Sequence, residues 1–215
     1  HGGFLNAPDV YMDKIAEGSG LADDVVDLDK PIKENLINLS AAKNVAVSDL
    51  VICILDRPRH AEIINEVRSA GARIMLISDG DVSGVIATAQ KDNGVDLYVG
   101  SGGAPEGVLA AAALRCIGGQ MQGRLLFRNE DEVGRAERIG IEELDAKYTL
   151  SQLAKGDVLF AATGVTDGTM LRGVKRAGSS ASTHSIVMRS STGTVRKIEA
   201  VHDWTKKTEY KDTKI

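Results

Sequence analysis

Three short stretches carry residues suited to handling a phosphorylated, hydroxyl-rich small molecule. Residues 56–60 read Asp56-Arg57-Pro58-Arg59-His60 directly after the apolar run VICIL. Two guanidiniums this close offer planar, paired donors that match phosphoryl oxygens. Asp79 and Asp81 flank Gly80. Two carboxylates on one tight turn can accept hydrogen bonds from vicinal hydroxyls or bind a metal. In GSGGAPEG (100–107) the glycines allow close backbone approach to a ligand, and Glu106 follows Pro105. A hard divalent cation favours such carboxylate oxygens. Each stretch also has a plain structural alternative. Arg57 and Arg59 can pair with Asp56 or Glu62 in a solvated loop. Asp79 and Asp81 can form an Asx turn and a helix cap. Glu106 can complement a helix dipole, worth about 0.3–1 kcal/mol. His60 is expected to cap or pack.

The positioning elements follow from periodicity. Strands are predicted at 50–55, 72–78 and 95–100, with helices at 59–71, 80–92 and 104–119. Gly71 and Gly118 act as stop signals and Pro105 lies in a first turn. This alternation predicts an α/β fold with a largely parallel βαβαβα core. Further on, 119–140 reads as a strand followed by a charged helical excursion. Residues 155–169 read as a strand and turn, and 183–204 as a hairpin around SSTGT. Ligands bind beyond the carboxyl ends of strands in open α/β sheets. Four strand ends are expected to converge there: those preceding Asp56, Asp79, Ser101 and Val165. Residues 1–204 are read as a single α/β domain and 205–215 as a polar tail.

Composition narrows the class. The 215 residues are 43% hydrophobic and 26% charged, as in soluble globular proteins. A net charge of -4 without a basic stripe argues against nucleic acid as a partner. No apolar run reaches the ~20 residues of a membrane span, and Arg115 interrupts the best candidate at 108–119. Cys53 and Cys116 lie in apolar segments, so buried reduced thiols and a cytoplasmic setting are expected. The glycine stretch lacks dinucleotide spacing and its acidic partner, which disfavours a nicotinamide-dependent oxidoreductase.

FLNAPDVYM, ILDRPRH, SDGDV, GGAPEG, ATGVTDGTMLRGV and THSIVMRSSTGTVRKIEAVH occur in that order. Together they closely resemble the class II (GlpX-type) fructose-1,6-bisphosphatases over about residues 1–204. The resemblance implies the layered sugar-phosphatase fold shared with inositol monophosphatases. It implies hydrolysis of the 1-phosphate of fructose 1,6-bisphosphate in gluconeogenesis, with sedoheptulose 1,7-bisphosphate as a further substrate in some members. Mg2+ or Mn2+ is the implied cofactor, and a homodimer or homotetramer the implied assembly. Carried over by motif, Tyr11, Arg57 and Arg59 bind the distal 6-phosphate. Asp79 and Asp81 hold sugar hydroxyls, and Glu106 ligates the catalytic metal. Family members also carry an upstream acidic set and a D-P-[IL]-[DE]-G-T motif, for which TDGT at 166–169 is no substitute. The chain thus resembles the substrate-binding C-terminal portion, and a start at His1 is expected of a fragment or processed product. The isolated chain is expected to be inactive. The alternative is a non-catalytic sugar-phosphate-binding module.

Overall fold

The computed structural model describes residues 3–90 and 93–207. Its first strand, β1 (Tyr11–Glu17), was not legible as a strand, because Asp13, Lys14 and Glu17 interrupt the apolar alternation. Helix α1 (Ile32–Lys43) follows and buries Leu36 and Leu39. Next comes β2 (Val51–Leu55), buried along nearly its whole length, as expected of a strand covered on both faces. Helix α2 (Ala61–Ala70) turns Ile64 and Val67 inward and stops at Gly71, whose φ of 88° suits glycine. Then come β3 (Arg73–Ile77), α3 (Asp81–Ala87), β4 (Leu97–Gly103) and α4 (Ala104–Ile117). Helix α3 ends earlier than predicted, and residues 91–92 of that expected helix lie outside the described residues.

The remainder comprises β5 (Gln120–Leu126), α5 (Glu130–Arg138), β6 (Lys147–Thr149) and α6 (Leu150–Leu153). After these come β7 (Leu159–Thr163), β8 (Lys175–Ala177), β9 (Ser180–Arg189) and β10 (Thr194–Asp203). The expected hairpin is β9 and β10, with the Ser190–Thr192 turn between them. Of the expected tail at 205–215, residues 208–215 lie outside the described residues.

A six-stranded sheet runs β3-β2-β4-β1-β5-β6. The expected α/β architecture is met, with its parallel core in β3-β2-β4. Strand β1 is antiparallel to both β4 and β5, so it lies between two strands that point the same way. β7, β8, β9 and β10 form a separate antiparallel sheet. One face of the six-stranded sheet packs Ile15, Ile52 and Leu97 against α1 and α2. The other packs Met12, Tyr98 and Leu125 against α3 and α4, and the same apolar cluster continues to Ile186 and Met188 of β9. Helix α4 is therefore apolar nearly all round, as a helix buried on two sides must be. Its run Ala110–Ala113 keeps the layers close. Both cysteines are free and buried, as expected.

Candidate functional site

The tips of β2, β3, β4 and β5 and the start of β1 share one edge of the six-stranded sheet, as the strand directions require. The fourth expected strand end is not among them. Strand β7 belongs to the second sheet, where Asp167 is occupied locally, accepting from the Gly173 amide at 2.9 Å and pairing with Lys175. Its place at the edge is taken by Arg128, just beyond β5, and by Tyr11, which opens β1.

After β2, Pro58–His60 forms a 3-10 turn that leads into α2. It buries His60 between layers. The amide of Ser101 donates to His60 Nε2 at 2.8 Å, so the proton resides on Nδ1, which donates to the Leu55 carbonyl at 2.8 Å. Burial pulls the imidazole below its ordinary pKa, and both nitrogens are committed, so His60 is a structural residue as expected. Its neighbour Arg59 reaches across the strands. Its Nη2 donates to the Ser101 carbonyl at 2.7 Å and its Nε to Ser101 Oγ at 3.0 Å. Its guanidinium also lies 5.0 Å from the Tyr11 ring centroid. Arg57 instead folds onto its own turn, with Nη1 donating to the Asp56 carbonyl at 2.8 Å.

A third arginine completes the cluster. Arg128 also lies 5.0 Å from the Tyr11 centroid, so the ring is contacted by two guanidiniums. Buried Glu132 fixes this arginine: Arg128 Nε and its backbone amide each donate to the Glu132 carboxylate at 2.8 Å. These bonds hold the Glu132 carboxyl below the usual carboxylate range. Asn129 caps α5 by accepting from the Glu132 amide at 3.0 Å, which sets the carboxylate's position. The signal for Arg128 was present in FRNEDE, an arginine at a strand end before a cap residue. It was hidden by the surrounding charge.

The carboxylates divide by environment. Asp79 stands exposed after β3. Asp81 is buried, accepts from the Val82 amide at 2.9 Å and forms an ion pair with Lys14 of β1. Lys14 is 1% exposed and also donates to the Gly103 carbonyl at 2.8 Å. Burial lowers its pKa; Asp81 and, more weakly, Glu106 oppose this, while Arg59 adds to it. Lys14 thus links the predicted residues on three neighbouring elements electrostatically. It was missed because a lysine inside an unrecognised strand reads as solvated.

The glycine stretch has a different role from the one expected. Gly100 to Gly103 are strand residues paired with β1, and do not form a loop. Side chains cross them. A Cβ on Gly102 would run into the Asp81 carboxylate, and one on Gly103 into that of Glu106. A Cβ on Gly100 would lie 3.1 Å from the His60 ring, where φ is 144°. Glycine here makes room for the site's own side chains. Glu106, in the first turn of α4, is exposed and can offer one carboxylate to a cation. Among the described residues no three His, Cys, Asp or Glu side chains converge to enclose a metal.

The family profile described as bacterial fructose-1,6-bisphosphatase, glpX-encoded, matches residues 1–202. The chain belongs to this bisphosphatase family. The class 2 fructose-1,6-bisphosphatase/sedoheptulose-1,7-bisphosphatase of Trichodesmium erythraeum is 43% identical over 214 residues, covering 94% of this chain and 62% of that protein. The similarly named Synechocystis protein shows the same identity and coverage. The class 2 fructose-1,6-bisphosphatase of Haemophilus influenzae is 39% identical over 213 residues, covering 93% of this chain and 63% of its own. The chain thus spans less than two thirds of these bisphosphatases. No helix among its described residues is long and apolar enough to cross a membrane.

Proposed function

We propose that residues 1–204 form the sugar-binding portion, a single α/β domain, of a metal-dependent class II bisphosphatase. The activity is hydrolysis of the 1-phosphate of fructose 1,6-bisphosphate, or of sedoheptulose 1,7-bisphosphate, in cytoplasmic gluconeogenesis by a homodimer or homotetramer. One observation carries this reading: Tyr11 sits against Arg59 and Arg128, at the sheet edge that also holds Asp79 and Asp81. The two guanidiniums supply paired donors for a terminal phosphate dianion, and the Tyr11 hydroxyl adds a further donor. Arg57 adds positive charge at the same turn. Asp79 is free to accept from sugar hydroxyls, while Asp81, fixed by Lys14, supplies a rigid second acceptor. Holding the sugar by its 6-phosphate and its hydroxyls aligns the 1-phosphate ester at the far end for attack by water.

Glu106 fits as one ligand of Mg2+ or Mn2+; the other ligands lie outside the residues that converge here. If held there with ligands from elsewhere, a divalent cation would supply Lewis-acid polarisation of the phosphoryl group. The test is calorimetric titration of fructose 6-phosphate into the chain. Saturable 1:1 binding, weakened about tenfold or more by Arg59→Ala, is expected. Unchanged affinity in that variant refutes the phosphate role. In the complete enzyme, Glu106→Ala should lower kcat and alter metal activation. A second reading, a sugar-phosphate-binding module without chemistry, is favoured by the lack of three converging metal-ligating groups among the described residues. Phosphate release from fructose 1,6-bisphosphate by the full-length protein with Mn2+ decides between the two.

A further inference from the structure

At the opposite end of β1 from Tyr11, roughly 20 Å along the strand, Glu17 is completely buried. Neither of its carboxylate oxygens has a hydrogen-bond partner among the described residues. Leaving such a group bare is costly, so its persistence calls for an explanation. Glu17 lines a cavity of about 320 Å³, within the range of small-ligand pockets. The cavity is built deliberately. Gln122 of β5 accepts from the Leu28 amide at 2.9 Å and donates to the Val26 carbonyl at 3.2 Å, pinning the following loop over it. Gln120 donates to Asp23 at the rim. Thr149 and Ser151 contribute hydroxyls, whereas Ile15, Val26 and Leu150 form an apolar wall.

We propose that this cavity binds a small primary ammonium ligand, its N–H donors received by Glu17 and Asp23 and its carbon chain by the apolar wall. The lining favours this class over two others. The oxygens demand donors or positive charge, so an anion is unsuitable. A bare metal ion would find too few ligands, because no three metal-ligating side chains converge among the described residues. The lining's cation, Arg115, is tethered, with Nε donating to the Gly156 carbonyl at 2.6 Å.

The charges facing Glu17 are Lys43 on α1, Asp23 and Asp24 in the loop, and Arg115 on α4. Burial, helped by Asp23 and Asp24 and opposed by Lys43, holds its carboxyl up to about 7. An ammonium ligand binds the ionised form. Its affinity should therefore fall about tenfold from pH 8 to pH 6, as protons compete for Glu17.

The test is calorimetric titration of n-butylammonium chloride into the whole chain, with KCl and MgCl2 at matched ionic strength as parallel arms. A one-site isotherm for butylammonium is expected, weaker at pH 6 and weakened at least tenfold by Glu17→Gln. Asp23→Asn should weaken it less. Circular dichroism should show that both variants are folded. An identical isotherm in Glu17→Gln, no saturation below about 10 mM, or Glu17-dependent binding of Mg2+ or K+ in place of the amine would each overturn the proposal. Failure here leaves the sugar-phosphate reading intact, because that site occupies the other end of the strand.

Discussion

Lys14 and Glu17 are three residues apart on the same strand and almost equally buried, yet the fold treats them in opposite ways. Lys14 is enclosed by acceptors: the Asp81 carboxylate and the Gly103 carbonyl, with Glu106 nearby. Glu17 has no such shell among the described residues and faces a cavity. A buried charge held by a carboxylate and a carbonyl is scaffold, since it fixes the positions of the groups that answer it. A buried carboxyl without such partners keeps both oxygens open to a donor from solution. Because adjacent side chains of a strand point to opposite faces, Lys14 belongs with α3 and α4, and Glu17 with the α1 side.

The sharpest way to break this contrast is to remove the scaffold charge. Lys14→Met leaves Asp81 buried and unpaired, and should cost about 3–5 kcal/mol of stability in urea unfolding. A loss below about 1 kcal/mol would show that the pair is not enclosed as described. The opposite sign is expected at Glu17. Its folded-state pKa of about 7 lies above the ordinary carboxylate value. Ionisation therefore erodes stability as pH rises from about 4.5 through 7, by roughly 3 kcal/mol once complete. Glu17→Gln should be more stable than the parent at pH 8 and indistinguishable from it at pH 4. Equal gains at both pH values would assign the effect to packing.

Smaller effects separate the arginines. Arg59→Ala should lower fructose 6-phosphate affinity about tenfold, whereas Arg57→Ala, whose guanidinium rests on its own turn, should cost about two- to threefold. Equal losses would mean that Arg57 swings onto the ligand. The mildest change is Asp79→Asn, expected to weaken sugar binding about twofold without altering stability, because its carboxylate is exposed. A measurable drop in melting temperature would count against that placement.

Much of this arrangement was legible in the sequence wherever local chemistry and tertiary structure agree. The apolar run ending at Leu55, the stop at Gly71 and the Pro105 start of α4 read correctly because each is a local backbone preference. So did the clustering of Arg59, Asp81 and Glu106 at strand ends, which follows from parallel β2, β3 and β4. What escaped depends on distant partners. Strand β1 hides its period because Lys14 and Glu17 are polar residues placed inside. Arg128 reveals itself only when Tyr11 arrives from the start of the chain. The glycines of 100–103 resembled a ligand-cradling loop, because sequence does not show that Asp81, His60 and Glu106 pass over them.

The position of β1 bears on how recognition comes into being. β4, α4 and β5 are consecutive in sequence, yet β1 lies between β4 and β5 and pairs with both. That placement joins parts distant in sequence, as in the pairing of Tyr11 with Gly103, so it carries the loop-closure entropy of a long-range contact. Tyr11 and Lys14 both lie on this central strand. Cradle and cavity alike therefore depend on one strand being seated between β4 and β5, since Tyr11 and Glu17 stand at its two ends.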